Sequence, residues 1–224
     1  MTTAELKEIL SNPLQLIEGD TLSATKCKGL AEALMSQFWI AKGFRHYWIT
    51  DLEFYLYADR HKDIITYPRK CEAGKWFFHA SGVDITFEST VDFATNSKNK
   101  KWMPVLTKDA VFGGILIRGI EPVERLDIPE DAILMFDGPW KACDELFDGF
   151  DAFGQADDFP RLEACAPRKV NLSAPIQRKG LSTESEKKVH TILTSNYAAY
   201  DDSCEKELVA EYAKYRVKPY HFKL

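Results

Sequence analysis

At 224 residues, 45% of them hydrophobic and 28% charged, the chain is long enough to bury one substantial core, and its composition excludes a disordered or fibrous protein. Its formal charge of −5 argues against a protein that coats nucleic acid through a uniformly basic face. Scattered cysteines without a C-x-x-C pair, and the lack of any apolar run near the ~18 residues of a membrane span, speak against a disulfide framework, a zinc site and a membrane protein.

Residues 1–7 lack the basic and apolar stretches of a signal peptide, so a cytoplasmic protein with reduced, mostly buried thiols is expected. Residues 2–10 read as a short amphipathic helix within an N-terminal extension over 1–24. A second helix is predicted over 28–38, with Leu30, Ala33, Leu34 and Phe38 at helical spacing behind Thr25 as cap. Two aromatic and β-branched strands follow over 38–57, turning at Lys42 and Gly43. Two more, over 75–79 and 83–88, turn through Ala80, Ser81 and Gly82. Residues 95–101 read as a loop and 111–120 as a buried strand leading into Glu121 and Pro122. A helix over 137–147 enters through Gly138 and Pro139, where the missing proline N–H does no harm. Residues 148–184 read as long surface loops, 205–215 as a helix and 217–223 as a closing strand. The fold class is α+β: one domain around an antiparallel sheet.

A carboxylate inside an apolar strand requires a partner, because burying an unpaired charge is costly. Glu53 lies between Leu52 and Phe54, and Arg118, after Ile115, Leu116 and Ile117, is an equally unexpected cation. The two form either a core ion pair or part of a site, and alternation alone also allows both to lie on a wet face. Tyr55 and His61 follow Glu53, and Trp76, Phe77, Phe78 and His79 form an aromatic run; together they suit either core packing or a slot for a planar heterocycle. No metal-ligand spacing, glycine-rich phosphate loop or G-x-S-x-G is present, so no metal or cofactor is expected. The basic clusters Lys98, Lys100 and Lys101; Arg168 and Lys169; Arg178 and Lys179; and Lys214, Arg216 and Lys218 are each either a solvated face or part of a basic track.

These residues resemble the 3-methyladenine (alkyladenine) DNA glycosylase family. Its E-x-Y-L signature, acidic loop and His are similar to Glu53-Phe54-Tyr55-Leu56, Asp59 and His61, with a loop a few residues shorter. Its L-L-R-A-x-E-P resembles Leu116-Ile117-Arg118-Gly119-Ile120-Glu121-Pro122, and its G-P-x-K resembles Gly138-Pro139-Trp140-Lys141. The closing R-K-P-L-R-F resembles the run from Arg216 to Phe222, and the early L-A-x-x-L helix resembles the run from Leu30 to Leu34. All five occur in the family's order and span most of the chain. The resemblance implies a strongly curved sheet of the formyltransferase C-terminal-domain type, and a monofunctional enzyme that flips a modified purine out of DNA and hydrolyses its N-glycosidic bond as a monomer.

Within that resemblance Glu53 is the general base, and Arg118 orients the glutamate and its water. Tyr55 and His61 stack on or contact the extruded base, and one of Phe77, Phe78 and His79 closes the other face. The family's wedge tyrosine before Gly82 is replaced by Ser81, and Asp84 and Glu88 add negative charge where the DNA backbone would run. The substrate is therefore duplex or single-stranded DNA, with a nucleoside or modified RNA base as a further reading, and a non-catalytic binding module as the rival from another class.

Overall fold

The computed structural model describes residues 1–95, 100–124, 135–149, 158–196 and 202–224. In chain order the principal elements are α1 (Thr3–Ser11), α2 (Ala24–Ser36), β1 (Phe38–Lys42), β2 (Arg45–Ala58), β3 (Trp76–His79), β4 (Gly82–Thr86), β5 (Phe112–Pro122), α3 (Pro139–Phe147), β6 (Arg161–Ala164), α4 (Ser185–Asn196), α5 (Asp202–Arg216) and β7 (His221–Lys223). The strands β6, β1, β2, β5, β4 and β3 lie side by side in that order, every pair antiparallel, in a sheet that curls into a half-barrel. The short strands His61–Lys62 and β7 add to β2, and Phe136–Asp137 adds to β5. The architecture is α+β, as the sequence implies.

Alternation along β2 separates two buried faces. Leu52, Phe54 and Leu56 enter the main core with Ile40, Ile49, Ile115, Ile117 and Phe222, beneath Leu30, Leu34 and Met35 of α2. Asp51, Glu53 and Tyr55 face the other way. On that side, towards the end of β2, Tyr57 and Phe112 stack at 4.8 Å and join Val189, Ile192 and Tyr212 of α4 and α5 in a second cluster. Among the described residues no helix is long and apolar enough to cross a membrane.

Helix α1 opens with a capping box: Glu5 N–H donates to Thr2 Oγ1 at 3.2 Å, and Thr2 N–H donates to Glu5 Oε2 at 2.6 Å. Residues 1–24 contribute Leu6, Leu10, Leu16, Ile17 and Leu22 to the main core. Helix α2 begins at Ala24, with Ser23 rather than Thr25 at the cap position. It stops at Ser36, because Phe38 starts the strand that pairs with both β2 and β6. The expected loop over 148–184 contains β6 and the buried Arg178; residues 150–157 lie outside the described ones. Asp92–Thr95 and Trp102–Val105 form a hairpin on either side of the expected 95–101 loop, of which 96–99 lie outside the description. Helix α5 runs on to Arg216, which shortens the closing strand to His221–Lys223, and α4 is a helix that the sequence reading missed.

Candidate functional site

The ionic face of β2 is built around Glu53, which is 0% exposed. Its Oε2 accepts from Tyr55 Oη–H at 2.8 Å and from Arg118 Nη1 at 3.3 Å, and its Oε1 accepts from the backbone N–H of Lys179 at 2.7 Å. Strand register brings these groups together: Leu116 lies opposite Glu53, then the register slips between Ile117 and Gly119 so that Gly119 faces Asp51. The slip leaves Arg118 out of the pairing and turns it toward the carboxylate, the kind of re-aiming that a bulge provides. Glycine is needed beside it, because a Cβ at Gly119 would meet Thr50 Oγ1 at 2.8 Å and Asp51 Cβ at 3.0 Å.

Behind Glu53 stands β7, whose His221 is opposite Glu53 in register. The His221 ring lies between two carboxylates, with Nε2 2.5 Å from Asp51 Oδ1 and Nδ1 3.7 Å from Glu53 Oε1. Arg118 Nε is 3.9 Å from Asp51 Oδ1, and Lys223 Nζ is 3.8 Å from Asp51 Oδ2. A second buried pair fixes the loop that donates to Glu53. Arg178 grips Asp63 through Nη1–Oδ2 at 2.6 Å and Nη2–Oδ1 at 3.2 Å, donates to Tyr215 O at 3.0 Å, and lies 4.6 Å from the Tyr55 ring centroid. Burial would lower the Arg178 guanidinium, but the facing Asp63 charge holds it above its ordinary value. Burial first, then the Glu53 charge, pushes the Tyr55 phenol well above its usual range, so it remains a donor.

Tyr55, Arg118 and Lys179, the three residues bonded to Glu53, line a cavity of about 440 Å³. Tyr67, Arg69, His79, Ser81, Asp84 and Trp140 are also on its wall. Asp84 accepts from Arg69 Nη1 and lies 2.9 Å from His79 Nε2. Ser81 N–H donates to His79 Nδ1 at 3.1 Å, so the neutral ring carries its proton on Nε2 and donates to Asp84. Burial alone would raise the Asp84 carboxyl, but Arg69 and His79 together hold it below its ordinary value. Among the described residues no cluster of His, Cys, Asp and Glu is arranged to hold a metal ion. A larger cavity of about 530 Å³ lies across the molecule between α1 and β3, with aliphatic and surface-charged walls that include Leu6, Leu10, Trp76 and Glu88. The buried ion pairs of Glu53 and Asp84 lie at the smaller one.

Of the sequence-predicted residues, Glu53, Arg118, Tyr55, His79 and Ser81 come together at or directly beneath this cavity. His61 does not. The tight Asp59–Arg60 turn pairs it with Ala58, on the core side of β2, where Nδ1 lies 2.7 Å from Leu56 O and Nε2 3.0 Å from Tyr220 Oη. Burial lowers its imidazole below the ordinary value. Phe78 is one residue out of phase: it is half-exposed and meets Phe147 edge-on at 4.7 Å. Phe77 is on the correct side but not on the cavity wall; it carries the Arg69 guanidinium 4.1 Å above its ring. Asp84, expected near a DNA backbone, is buried and paired with Arg69, and Glu88 accepts from Ala73 N–H on the far side. Sequence reasoning missed Asp51, Asp63, Arg69 and His221, and it read Arg178 as part of a solvated face or basic track, whereas Arg178 is buried against Asp63. A signal existed only for Asp51, two residues before Glu53 and so on the same face.

No protein-family model matches the chain, no curated protein matches it significantly, and no solved structure matches its fold significantly.

Proposed function

We propose that the protein is a monofunctional N-glycosylase that hydrolyses the bond between a modified purine base and its sugar in DNA. One observation carries the reading: a buried carboxylate, Glu53, held by Tyr55, Arg118 and Lys179 N–H directly beneath the cavity that those same residues line. Tyr55, Tyr67 and His79 provide aromatic surface for a planar base, and the cavity volume falls within the ~300–1,000 Å³ of small-ligand sites. A base made cationic by alkylation gains about 0.5–2 kcal/mol on such rings. Glu53 takes a proton from water as that water attacks the anomeric carbon, and its charge stabilises the oxocarbenium-like transition state while the base departs. Arg118 orients the carboxylate and the water.

A second reading, a binding module that holds a base without turning it over, is favoured by the complete burial of Glu53 and its three donors. Release of free base decides between them. Double- and single-stranded DNA carrying 3-methyladenine, 7-methylguanine, hypoxanthine or ethenoadenine is incubated with wild type and with Glu53→Gln. General-base catalysis is worth about 10²–10⁴-fold, so release is expected to collapse by at least about 100-fold in the variant while its circular dichroism stays unchanged. No release from any substrate by the wild type sinks the glycosylase reading and leaves the binding module or a hydrolase of nucleosides and modified RNA bases.

A further inference from the structure

The mouth of the cavity has two properties that a site for a free base does not need. The first is Trp140, which lines the cavity and is 54% exposed. Its place on the cavity wall leaves the exposed part of the ring available to stack on a molecule that enters the cavity. Its mount is rigid. Pro139 opens α3, Gly138 N–H donates to Arg118 O at 2.8 Å, and Ala142 N–H closes on Gly138 O at 3.0 Å. The hairpin tip is locked to the same mount, because a Cβ at Gly82 would approach Pro139 O to 2.9 Å. Trp140 and the tip bearing Ala80 and Ser81 therefore form one fixed rim.

The second property is charge. Arg69, Arg118, Lys179 and Lys188 all line the cavity, and among the described residues Asp84 is the one carboxylate in that lining. Arg69 and Arg118 are held in ion pairs with Asp84 and Glu53, so the exposed charges of the described lining are those of Lys179 and Lys188, in a chain whose net charge is −5. An exposed aromatic ring beside a short row of cations is the arrangement that binds single-stranded nucleic acid, the ring stacking on a base and the cations following the phosphates.

We propose that the cavity receives its base from an unpaired nucleic-acid strand, with Trp140 stacking on the base next to the bound one and Lys179 and Lys188 holding the flanking phosphates. This rests on reading the cavity as a base site. A free nucleoside leaves both Trp140 and the two lysines without a counterpart. A duplex calls for a basic face that meets the phosphates of both strands and for a large side chain that wedges into the stack. The hairpin tip supplies only Ala80 and Ser81, and Trp140 stands at the rim where an unpaired neighbouring base stacks.

The test is fluorescence anisotropy of a short fluorescein-labelled DNA strand carrying one ethenoadenine, against the same strand in a duplex and with ethenoadenosine 5′-monophosphate as competitor. The strand is expected to bind more tightly than the duplex, and the monophosphate to compete poorly. Trp140→Ala is expected to weaken strand binding about 5- to 150-fold, with Trp140→Phe retaining most of it. Lys179→Gln with Lys188→Gln is expected to make the dependence of log K on log salt shallower by about 1.4. Duplex binding as tight as strand binding, full competition by the monophosphate, or wild-type affinity in Trp140→Ala would each overturn the proposal. The two readings are separated by their readouts: loss of base release in Glu53→Gln tests the chemistry, and loss of strand affinity in Trp140→Ala, with circular dichroism unchanged, tests strand binding.

Discussion

The two faces of β2 are equally buried and opposite in chemistry. Leu52, Phe54 and Leu56 are 0% exposed on one side, and Asp51 and Glu53 are 1% and 0% exposed on the other. The apolar face needs no partner of particular geometry, because each large side chain taken out of water contributes about 1.5–3 kcal/mol wherever it packs. The ionic face gains nothing from burial itself. Each carboxylate costs several kcal/mol to desolvate, and its partners must offset that cost at set distances. Burial alone therefore does not identify a core, and a sheet face held by buried ion pairs is poorly explained by stability. That contrast is what makes the ionic face the candidate site.

The contrast breaks most severely at Arg178. Replacing it with Met leaves Asp63 buried without a cation and frees the loop that presents Lys179 N–H to Glu53. A loss of about 3–5 kcal/mol is expected in urea unfolding at neutral pH. The companion variant that also carries Asp63→Leu is expected to recover most of it, since an apolar pair of similar volume is often as stable as the ion pair it replaces. If the double variant is no more stable than the single one, the ionic face is held by packing rather than by charge.

A smaller and more local break is available at Gly119. Alanine there drives its Cβ into Thr50 Oγ1 and Asp51, and the register slip that aims Arg118 has to shift. Forcing an extra methyl into such a site costs about 1–3 kcal/mol. On the proposed glycosylase reading, base release is expected to fall beyond what the stability loss explains, because Arg118 moves relative to Glu53. A variant that loses stability but keeps full base release would show that the bulge does not position the arginine.

Much of this face was legible in the sequence for one reason: Glu53 and Arg118 are charges inside apolar runs, so each demanded a partner, and alternation put Tyr55 beside Glu53. What was not legible depends on parity and distance. His61 and Phe78 each fall on the wrong side of a strand by a single residue, which a turn length decides and composition does not. Arg178 and Asp63 meet across 115 residues, from a segment that reads as a loop. His221 reaches Asp51 across 170 residues. Helix α4 was missed because its described buried side chains are only Val189 and Ile192, too few to draw an apolar stripe.

His61 and Asp84 sharpen the comparison by titration, with the smallest expected effect. Both have folded-state values below the ordinary ones, so for each the unfolded chain binds the proton more readily, and stability is lost as pH falls. The windows differ. For His61, on the core side, the loss begins as pH drops below its ordinary value of 6.5 and is complete below its lowered folded value. For Asp84, on the ionic face, the loss begins only below its ordinary value of 3.8. Urea unfolding from pH 7 downward is therefore expected to show an early decline that His61→Asn reduces and a late one that it leaves unchanged. If the early decline persists undiminished in that variant, burial of the His61 ring is not its source.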